Sequence, residues 1–302
     1  APVTANGSNN DPWRGGSIQV INGTLGNPLL KSEKSINTQL GVVLQPSWFP
    51  GFNTSLDYYR IYLSGQITGV PTQTSVNNCY AGLTQFCNAI QVAGGLSPAV
   101  SSNWIQVNSQ AFNTANTVTD GFNWETTYQF SLADWGFMPI PGTFTVRAMA
   151  TYVSKFINTP GLPGTFRLNT AGSNDGATPH LKAFLTQAYQ SENWEIHLSE
   201  NLISEGRHNL NWIQCTPGTC PVPTLQNPTV QDNHVPGIFY LNLGGSLNLS
   251  EHWTLYGQVD NLLNKNPPPF YSNSQNPTND GANPLLYDTI GRMFHVGVRI
   301  SD

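Results

Sequence analysis

The chain has 302 residues, only 10% of them charged, with a formal net charge of −5. Soluble proteins average roughly 25% charged residues; here Asn, Gln, Ser, Thr and Gly fill the gap. The basic residues are scattered, and the one near-cluster, Lys31 to Lys34, is broken by Glu33, which excludes a clustered Lys/Arg surface for nucleic acid.

In chain order, residues 1–25 read as a loop or an incomplete preceding strand. Their opening, APVTANGSNNDPWRGG, has neither the basic start nor the apolar segment of a signal peptide. That leaves a leader already removed or a sequence that begins inside a longer chain. No apolar run approaches the ~18 residues of a membrane helix. What recurs instead is alternation. In TFTVRAMATYVSK, Phe144, Val146, Ala148, Ala150 and Tyr152 alternate with Thr143, Thr145, Arg147, Met149 and Thr151. WEIHLSENLI sets Trp194, Ile196, Leu198 and Leu202 against Glu195, His197, Ser199 and Asn201. GIFYLNLGGSLNLS sets Phe239, Leu241, Leu243, Leu247 and Leu249 against Tyr240, Asn242, Ser246 and Asn248. Strict alternation marks a strand with one apolar face. Strands are expected at 34–46, 54–68, 104–132, 143–157, 180–190, 194–205, 237–249, 253–263 and 286–300.

The connections alternate too. Short ones (49–52, 134–142, 191–193, 250–252) are followed by long ones (71–103, 158–179, 206–236, 264–285) rich in Pro, Gly and Asn. An up-and-down antiparallel sheet kept tight at one end and elaborated at the other has this rhythm. Transmembrane β-barrels have it, with short periplasmic turns and long outer loops. Trp48, Phe49, Trp135, Phe137, Trp194 and Trp253 stand at or beside the short turns, where an interfacial girdle belongs. A secreted β-sandwich, such as a carbohydrate-binding module, also alternates apolar and polar. Against it, the polar faces carry Asn, Gln, Ser, Thr and Tyr rather than the Lys and Glu of a solvated surface.

Four cysteines form two close pairs, Cys79 with Cys87 and Cys215 with Cys220, in loop-like stretches. They read as disulfides of an oxidising compartment. A zinc site would need further ligands, and only His234 stands loosely near a pair. No cofactor motif is present. Catalysis is not expected either: Glu195 and Glu200 are five apart and have opposite strand parity, so they cannot act as a glycosidase pair. The sequence contains no G-x-S-x-G, H-E-x-x-H or phosphate-binding glycine loop.

Four ordered segments carry a family resemblance. GNPLLKSEKSINTQLGV at 26–42 resembles a GNP-x-L-x-P-E-x-S segment, with Ser32 where proline is usual. FPGFNTSLDYYRIYLSGQI at 49–67 resembles a turn and D-Y-Y strand. VDNLLNKNPP at 259–268 resembles N-L-F-(N/D)-K-x-P-P, and YDTIGRMFHVGVR at 287–299 resembles a closing Y-D-x-x-G-R-x-(F/Y) strand. From about residue 26 onward the chain resembles the C-terminal barrel portion of a TonB-dependent outer-membrane receptor. The resemblance implies about nine strands of a larger plugged barrel of about 22, with plug, TonB-contact segment and earlier strands outside this sequence. It implies uptake of a scarce nutrient, such as a siderophore–iron complex, vitamin or glycan, across the outer membrane of a Gram-negative bacterium. The implied partners are TonB, the barrel-assembly machinery, outer-membrane lipid and a small-molecule ligand. That machinery reads the final strand, here Phe294, Val296, Val298 and Ile300, and an aromatic end; Asp302 departs from that pattern and puts insertion efficiency in question.

On this reading Tyr59, Ile61 and Leu63, with Phe144, Val146 and Ala148, Leu181, Ala183 and Leu185, Leu241 and Leu243, face lipid. Glu200 and Arg292 fall on the same side and are expected near the interfaces. Arg60, Tyr62, Gln66, Arg147, His197, Asn201, Tyr240, Tyr256, Asp260, His295 and Arg299 face the lumen. Arg60, Tyr62, Arg147, Tyr240 and Tyr256, with the loop aromatics Trp104, Trp212, Phe270 and Tyr271, are the ligand-contact candidates. Sparse lumen charge disfavours a highly anionic ligand, which needs several Arg. In the full-length protein, cysteines placed at 144 and 146 should react with lipid-phase reagents while those at 145 and 147 do not; the reverse pattern would refute the assigned parity.

Overall fold

The computed structural model describes residues 5–13, 15–92, 104–135, 141–162, 165–224, 227–269, 281 and 283–301. In chain order the strands are β1 (Ala5–Asn10), β2 (Ser17–Leu25), β3 (Lys34–Leu44), β4 (Phe52–Val70), β5 (Ile90–Val92), β6 (Trp104–Ser131), β7 (Thr143–Thr159), β8 (Leu168–Asn169) and β9 (Leu181–Gln190). They continue as β10 (Trp194–Ile203), β11 (Gly206–Arg207), β12 (Ile213–Gln214), β13 (Thr229–Val230), β14 (His234–Val235), β15 (Ile238–Asn248), β16 (Trp253–Asp260) and β17 (Met293–Ile300). A helix, α1 (Thr72–Tyr80), follows β4. Two compact units are distinguished: Ala1–Ile36, Tyr62–Thr117 and Asn158–Arg167 make the first, and Asn37–Ile61, Val118–Ile157 and Leu168–Asp302 the second.

In the first unit β2 pairs antiparallel with β1 and parallel with β6, and β5 pairs with β6. Val20, Val70, Val76, Phe86, Ile90, Trp104, Val107 and Leu162 form its core. Residues 1–25, read from sequence as loop or incomplete strand, thus contain two strands, and the 71–103 connection contains α1. That helix is only nine residues long and buries Val76 and Cys79 as its apolar pair, too short to impose a visible 3.6-residue period.

In the second unit nine strands follow in the order β3-β4-β6-β7-β9-β10-β15-β16-β17. All nine were expected from alternation. Cross-strand partners share a face, so register decides which residues stand together. Val146, Gln187, Leu198, Leu243, Val259 and Phe294 form one row across six strands. One residue along, the row reads Thr145, Ala188, His197, Gly244, Gln258 and His295. One face is apolar and the other is polar. Phe294, Val296, Val298 and Ile300 lie on the apolar face and are 72%, 81%, 52% and 63% exposed. The sheet does not close among the described residues: β3 and β17 each end it.

Register corrects the reading of β4. Tyr58 lies against Phe122 (ring centroids 5.4 Å), and Trp124 Nε1 donates to Thr54 Oγ1 at 3.0 Å. Their odd-numbered neighbours meet the polar side: Thr151 Oγ1 donates to Asn123 Oδ1 at 3.0 Å, and Arg147 binds Glu125. A Cβ on Gly121 would strike Tyr59, and one on Gly41 would strike Asp57. The apolar face of β4 therefore carries Leu56 and Tyr58, with Arg60 and Tyr62 on the same parity, whereas Tyr59 and Ile61 share the polar side with Asp57. Leu63 follows the same parity. The sequence could not decide this, because Tyr58 and Tyr59 are identical and apolar residues occur on both parities. Arg60 stands eight residues beyond Phe52 (60 against 52), close to the far edge of a 9–11-residue crossing, roughly where a lipid-facing charge costs little.

Two further expectations change. Strand β17 begins at Met293, not 286, so Arg292 precedes it. Glu200 lies between Leu198 and Leu202 on the apolar face, opposite Leu185 and Leu241, rather than at a strand end. Gln187 Nε2 donates to its two carboxylate oxygens at 3.2 and 3.4 Å, which partly satisfies the group.

At the short-turn end aromatic rings form a chain. Phe49 stacks on Trp48, Phe52 and Tyr128 (6.0, 5.3 and 4.7 Å); Tyr128 reaches Phe130 at 4.9 Å and Phe130 reaches Phe144 at 5.4 Å. Trp194 meets Tyr189 at 4.9 Å, and Trp253 stands opposite Ile300. The Trp135 side chain and Phe137 lie outside the described residues. Leu198→Arg should destabilise the assembled full-length barrel by about 2–4 kcal/mol, near the middle of its span, whereas Ser199→Arg is tolerated; heat-modifiable migration of the two variants checks the difference.

Candidate functional site

The polar face of the second unit is built by β7, β9, β10, β15, β16 and β17. Arg147 is spent on Glu125, with Nε and Nη2 donating to one carboxylate oxygen at 3.0 and 2.6 Å. His197 Nδ1 lies 3.3 Å from Glu195, and His295 Nε2 lies 2.8 Å from Asp260 Oδ2. Two rings lie over glycines of neighbouring strands. A Cβ on Gly244 would strike the His197 ring, and one on Gly297 the Tyr256 ring. These glycines are needed for close approach rather than for backbone freedom.

At the long-loop end, two of the resemblance segments are fastened together. Asn261, with φ +47°, receives a hydrogen bond from Lys265 N (2.8 Å) and donates Nδ2 to Asp288 Oδ2 (2.7 Å). Asp288 Oδ1 also accepts from Ile290 N (2.9 Å) and Gly291 N (3.2 Å). Asn264 Oδ1 accepts from Arg292 N at 3.1 Å. Burial pushes the Asp288 carboxyl up, but the donors from Ile290, Asn261 and Gly291 outweigh it and hold the group below the usual carboxylate range. The N-L-L-N-K and D-x-x-G-R letters thus act as a clamp between the end of β16 and the start of β17.

Behind the clamp is a niche of about 390 Å3, lined by Asn201, Tyr240, Asn242, Asp260, Asp288 and His295 among others. Tyr240 is 5% exposed. Its hydroxyl is buried, with the Asp288 main chain as its polar neighbour. Ile203, Val235, Leu286 and Tyr287 pack against Tyr240.

The long connections also share a buried hub. Asn174, fully buried, donates Nδ2 to Tyr287 Oη (2.8 Å) and Ser204 O (3.1 Å). Asn283 Nδ2 reaches back to Asn174 O and Asp175 O, at 3.0 and 3.1 Å. His208 Nδ1 lies 3.1 Å from both Asp175 carboxylate oxygens. Burial pushes the Asp175 carboxyl up, with His208 opposing it, and burial likewise raises Tyr287.

The ligand-contact candidates are scattered. Arg147, Tyr240 and Tyr256 are on the polar face; Arg60 and Tyr62 have the opposite parity. Trp104 is 8% exposed in the first unit's core, edge-on to Trp13 at 6.0 Å, so it is a packing residue rather than a loop platform. Trp212 is half-buried beside His208. Phe270 and Tyr271 lie outside the described residues. Both cysteine pairs are disulfides, with Cα separations of 4.8 Å for Cys79–Cys87 and 5.2 Å for Cys215–Cys220, so neither is half of a zinc site. Among the described residues no cluster could hold a metal ion. Asn242, Asn261 and Asp288 escaped sequence reasoning, although the last two sit inside quoted motifs.

A strand wall with one apolar and one polar face, tight turns at one end and fastened loops at the other defines the class: a portion of a transmembrane β-barrel. A family model described as TonB dependent receptor-like, beta-barrel, matches residues 1–262, and the chain belongs to that family. No curated protein matches the sequence. Among solved structures, the siderophore receptor PirA from Acinetobacter baumannii is similar over 99% of this chain and 35% of its own, at 14% identity and TM-score 0.55. A mutant ferric enterobactin receptor PfeA from Pseudomonas aeruginosa is similar over 93% and 32%, at 18% identity and TM-score 0.53. The FrpB iron transporter from Neisseria meningitidis is similar over 93% and 33%, at 13% identity and TM-score 0.52. These likenesses concern the fold, and the chain spans about a third of each relative's length.

Asp288→Ala removes the acceptor of three donors and should lower barrel stability by about 1–3 kcal/mol, with Asp288→Asn costing less. Because the folded carboxyl is held below its usual range, the clamp persists at neutral pH and is lost as pH falls through the lowered pKa. Thermal unfolding of the purified full-length receptor at pH 7 and below pH 4 checks both statements.

Proposed function

We propose that this chain forms the C-terminal portion of the wall of a TonB-dependent receptor, which takes up a scarce nutrient across the outer membrane of a Gram-negative bacterium. The observation that carries the reading is the predominantly apolar face of the nine-strand sheet. In lipid every backbone N–H and C=O must be paired within the protein, which strands achieve only in a closed barrel. The free edges at β3 and β17 therefore call for further strands. A soluble β-sandwich would cover the apolar face with a second sheet; among the described residues Val296 and Phe294 are left 81% and 72% exposed.

On this reading the polar face lines the lumen, and ligands enter from the long-loop end. Energy reaches the receptor through TonB, by a contact segment beyond these residues. The barrel-assembly machinery engages the β17 face of Phe294, Val296, Val298 and Ile300, and outer-membrane lipid covers the apolar side. The structural relatives named for siderophore or iron uptake support a siderophore–iron complex as one candidate cargo, alongside vitamins and glycans. Family and fold are those of receptors and transporters, which accords with a non-enzymatic role.

The full-length gene product should fractionate with the outer membrane and migrate in a heat-modifiable way, and its uptake-dependent growth should vanish when TonB is deleted. A product that is soluble without detergent, or growth indifferent to TonB, would refute the proposal.

A further inference from the structure

We infer that the apolar face of β9, β10, β15, β16 and β17 is a self-association surface, on which a second copy of the receptor docks within the membrane and completes the hydrogen bonding of Gln187 and Glu200. The inference rests on the receptor reading and names a partner for it.

On these five strands the apolar parity has a single interruption. Register places residues 185, 200 and 241 in one row of that face, and 187, 198, 243, 259 and 294 in the next. Every other residue of the parity is aliphatic, aromatic or glycine, so Gln187 and Glu200 alone bring an amide and a carboxyl. Glu200 stands six residues beyond Trp194 (200 against 194), near the middle of a crossing of about 9–11 residues. An ionisable group at that depth is costly and marks a functional contact by default.

The two side chains hold each other only in part. Gln187 Nε2 donates to both Glu200 oxygens, at 3.2 and 3.4 Å, which uses one nitrogen. The amide oxygen has no hydrogen-bond partner among the described residues, carboxyl lone pairs remain, and both side chains are half-buried. Acyl chains offer neither donor nor acceptor to complete them. A second copy offers both: it brings the same amide and the same carboxyl, and a two-fold axis along the membrane normal sets amide against carboxyl on each side.

The same face also admits close approach. Gly245 and Gly257 stand side by side in the row from Ile196 to Val296. Their missing side chains leave a notch of about 540 Å3, walled by Leu247 and Leu255 among others. Small residues near a polar couple are what spanning elements use to pack where lipid removes the hydrophobic drive between them. Five strands about 4.8 Å apart, under an apolar band about 25 Å tall, offer roughly 600 Å2 per copy, the lower range of specific interfaces.

The test uses the full-length receptor in native outer membranes, with a single added cysteine either at Leu241, opposite Glu200, or at Leu56 on the apolar face of β4. Mild oxidation should cross-link Leu241→Cys into a dimer of the receptor and leave Leu56→Cys monomeric. Combining Gln187→Leu with Glu200→Leu should lower the dimer association constant about tenfold or more, the loss of at least one hydrogen bond. Förster transfer between labelled receptors, diluted with lipid, reads that constant. Leucine suits a lipid face, and heat-modifiable migration verifies that the double variant is inserted. Equal cross-linking at the two positions, no cross-link at 241, a cross-link there to a different protein, or an unchanged constant in the double variant overturns the inference. Each of those outcomes, in a receptor that fractionates with the outer membrane and supports TonB-dependent growth, leaves the receptor reading standing.

Discussion

The backbone's demand for hydrogen bonds in a solvent that offers none governs everything else in this chain. A strand in hydrocarbon must pair on both edges, and each strand must then put one side-chain parity toward lipid. Once β7 through β17 are in register, the rows follow without further choice: Val146 to Phe294 on one side, Thr145 to His295 on the other. Short turns, the aromatic chain from Trp48 to Phe144 and the fastened long loops are all consequences of a wall that has to end in two different media. Among the described residues the sheet stays open at β3 and β17, and the chain spans about a third of its structural relatives.

Much of this was legible in the sequence. The nine strands of the wall are visible as long segments, most of them alternating, and the short and long connections order themselves by their Pro, Gly and Asn content. The parity of β4 was not legible. In SLDYYRIYL apolar and aromatic residues occupy both parities, and only the cross-strand neighbours, Phe122 on one side and Gly121 on the other, settle the matter. Trp104 was misread for a different reason. Its strand continues into the first unit, where a small core around Val76, Phe86 and Val107 claims it, and a nine-residue, mostly polar helix with one buried apolar pair gives no periodic warning of that core. The motif letters Asn261 and Asp288 were quoted for family likeness alone; their structural role as a clamp depends on a contact 27 residues apart in sequence.

Several charges of the polar face and its loop end are answered by close partners. Arg147 is answered by Glu125, His295 by Asp260, and Asp288 by three N–H groups. Even Glu200, stranded on the apolar side among leucines, is met by Gln187. The outer hub of Asn174, Asp175, His208, Asn283 and Tyr287 extends the same economy into the loops, tying connections far apart in sequence through buried amide bonds.

The central claim is that one face of the sheet contacts lipid and the other lines the lumen, with β4 oriented as its neighbours dictate. The most direct measurement is oxygen and aqueous-relaxant accessibility of spin labels at positions 58 and 59 of the full-length receptor in bilayers. The account predicts a label at 58 that senses dissolved oxygen as lipid-exposed residues do, and a label at 59 that does not. The opposite pattern, or equal accessibility at both positions, would contradict it.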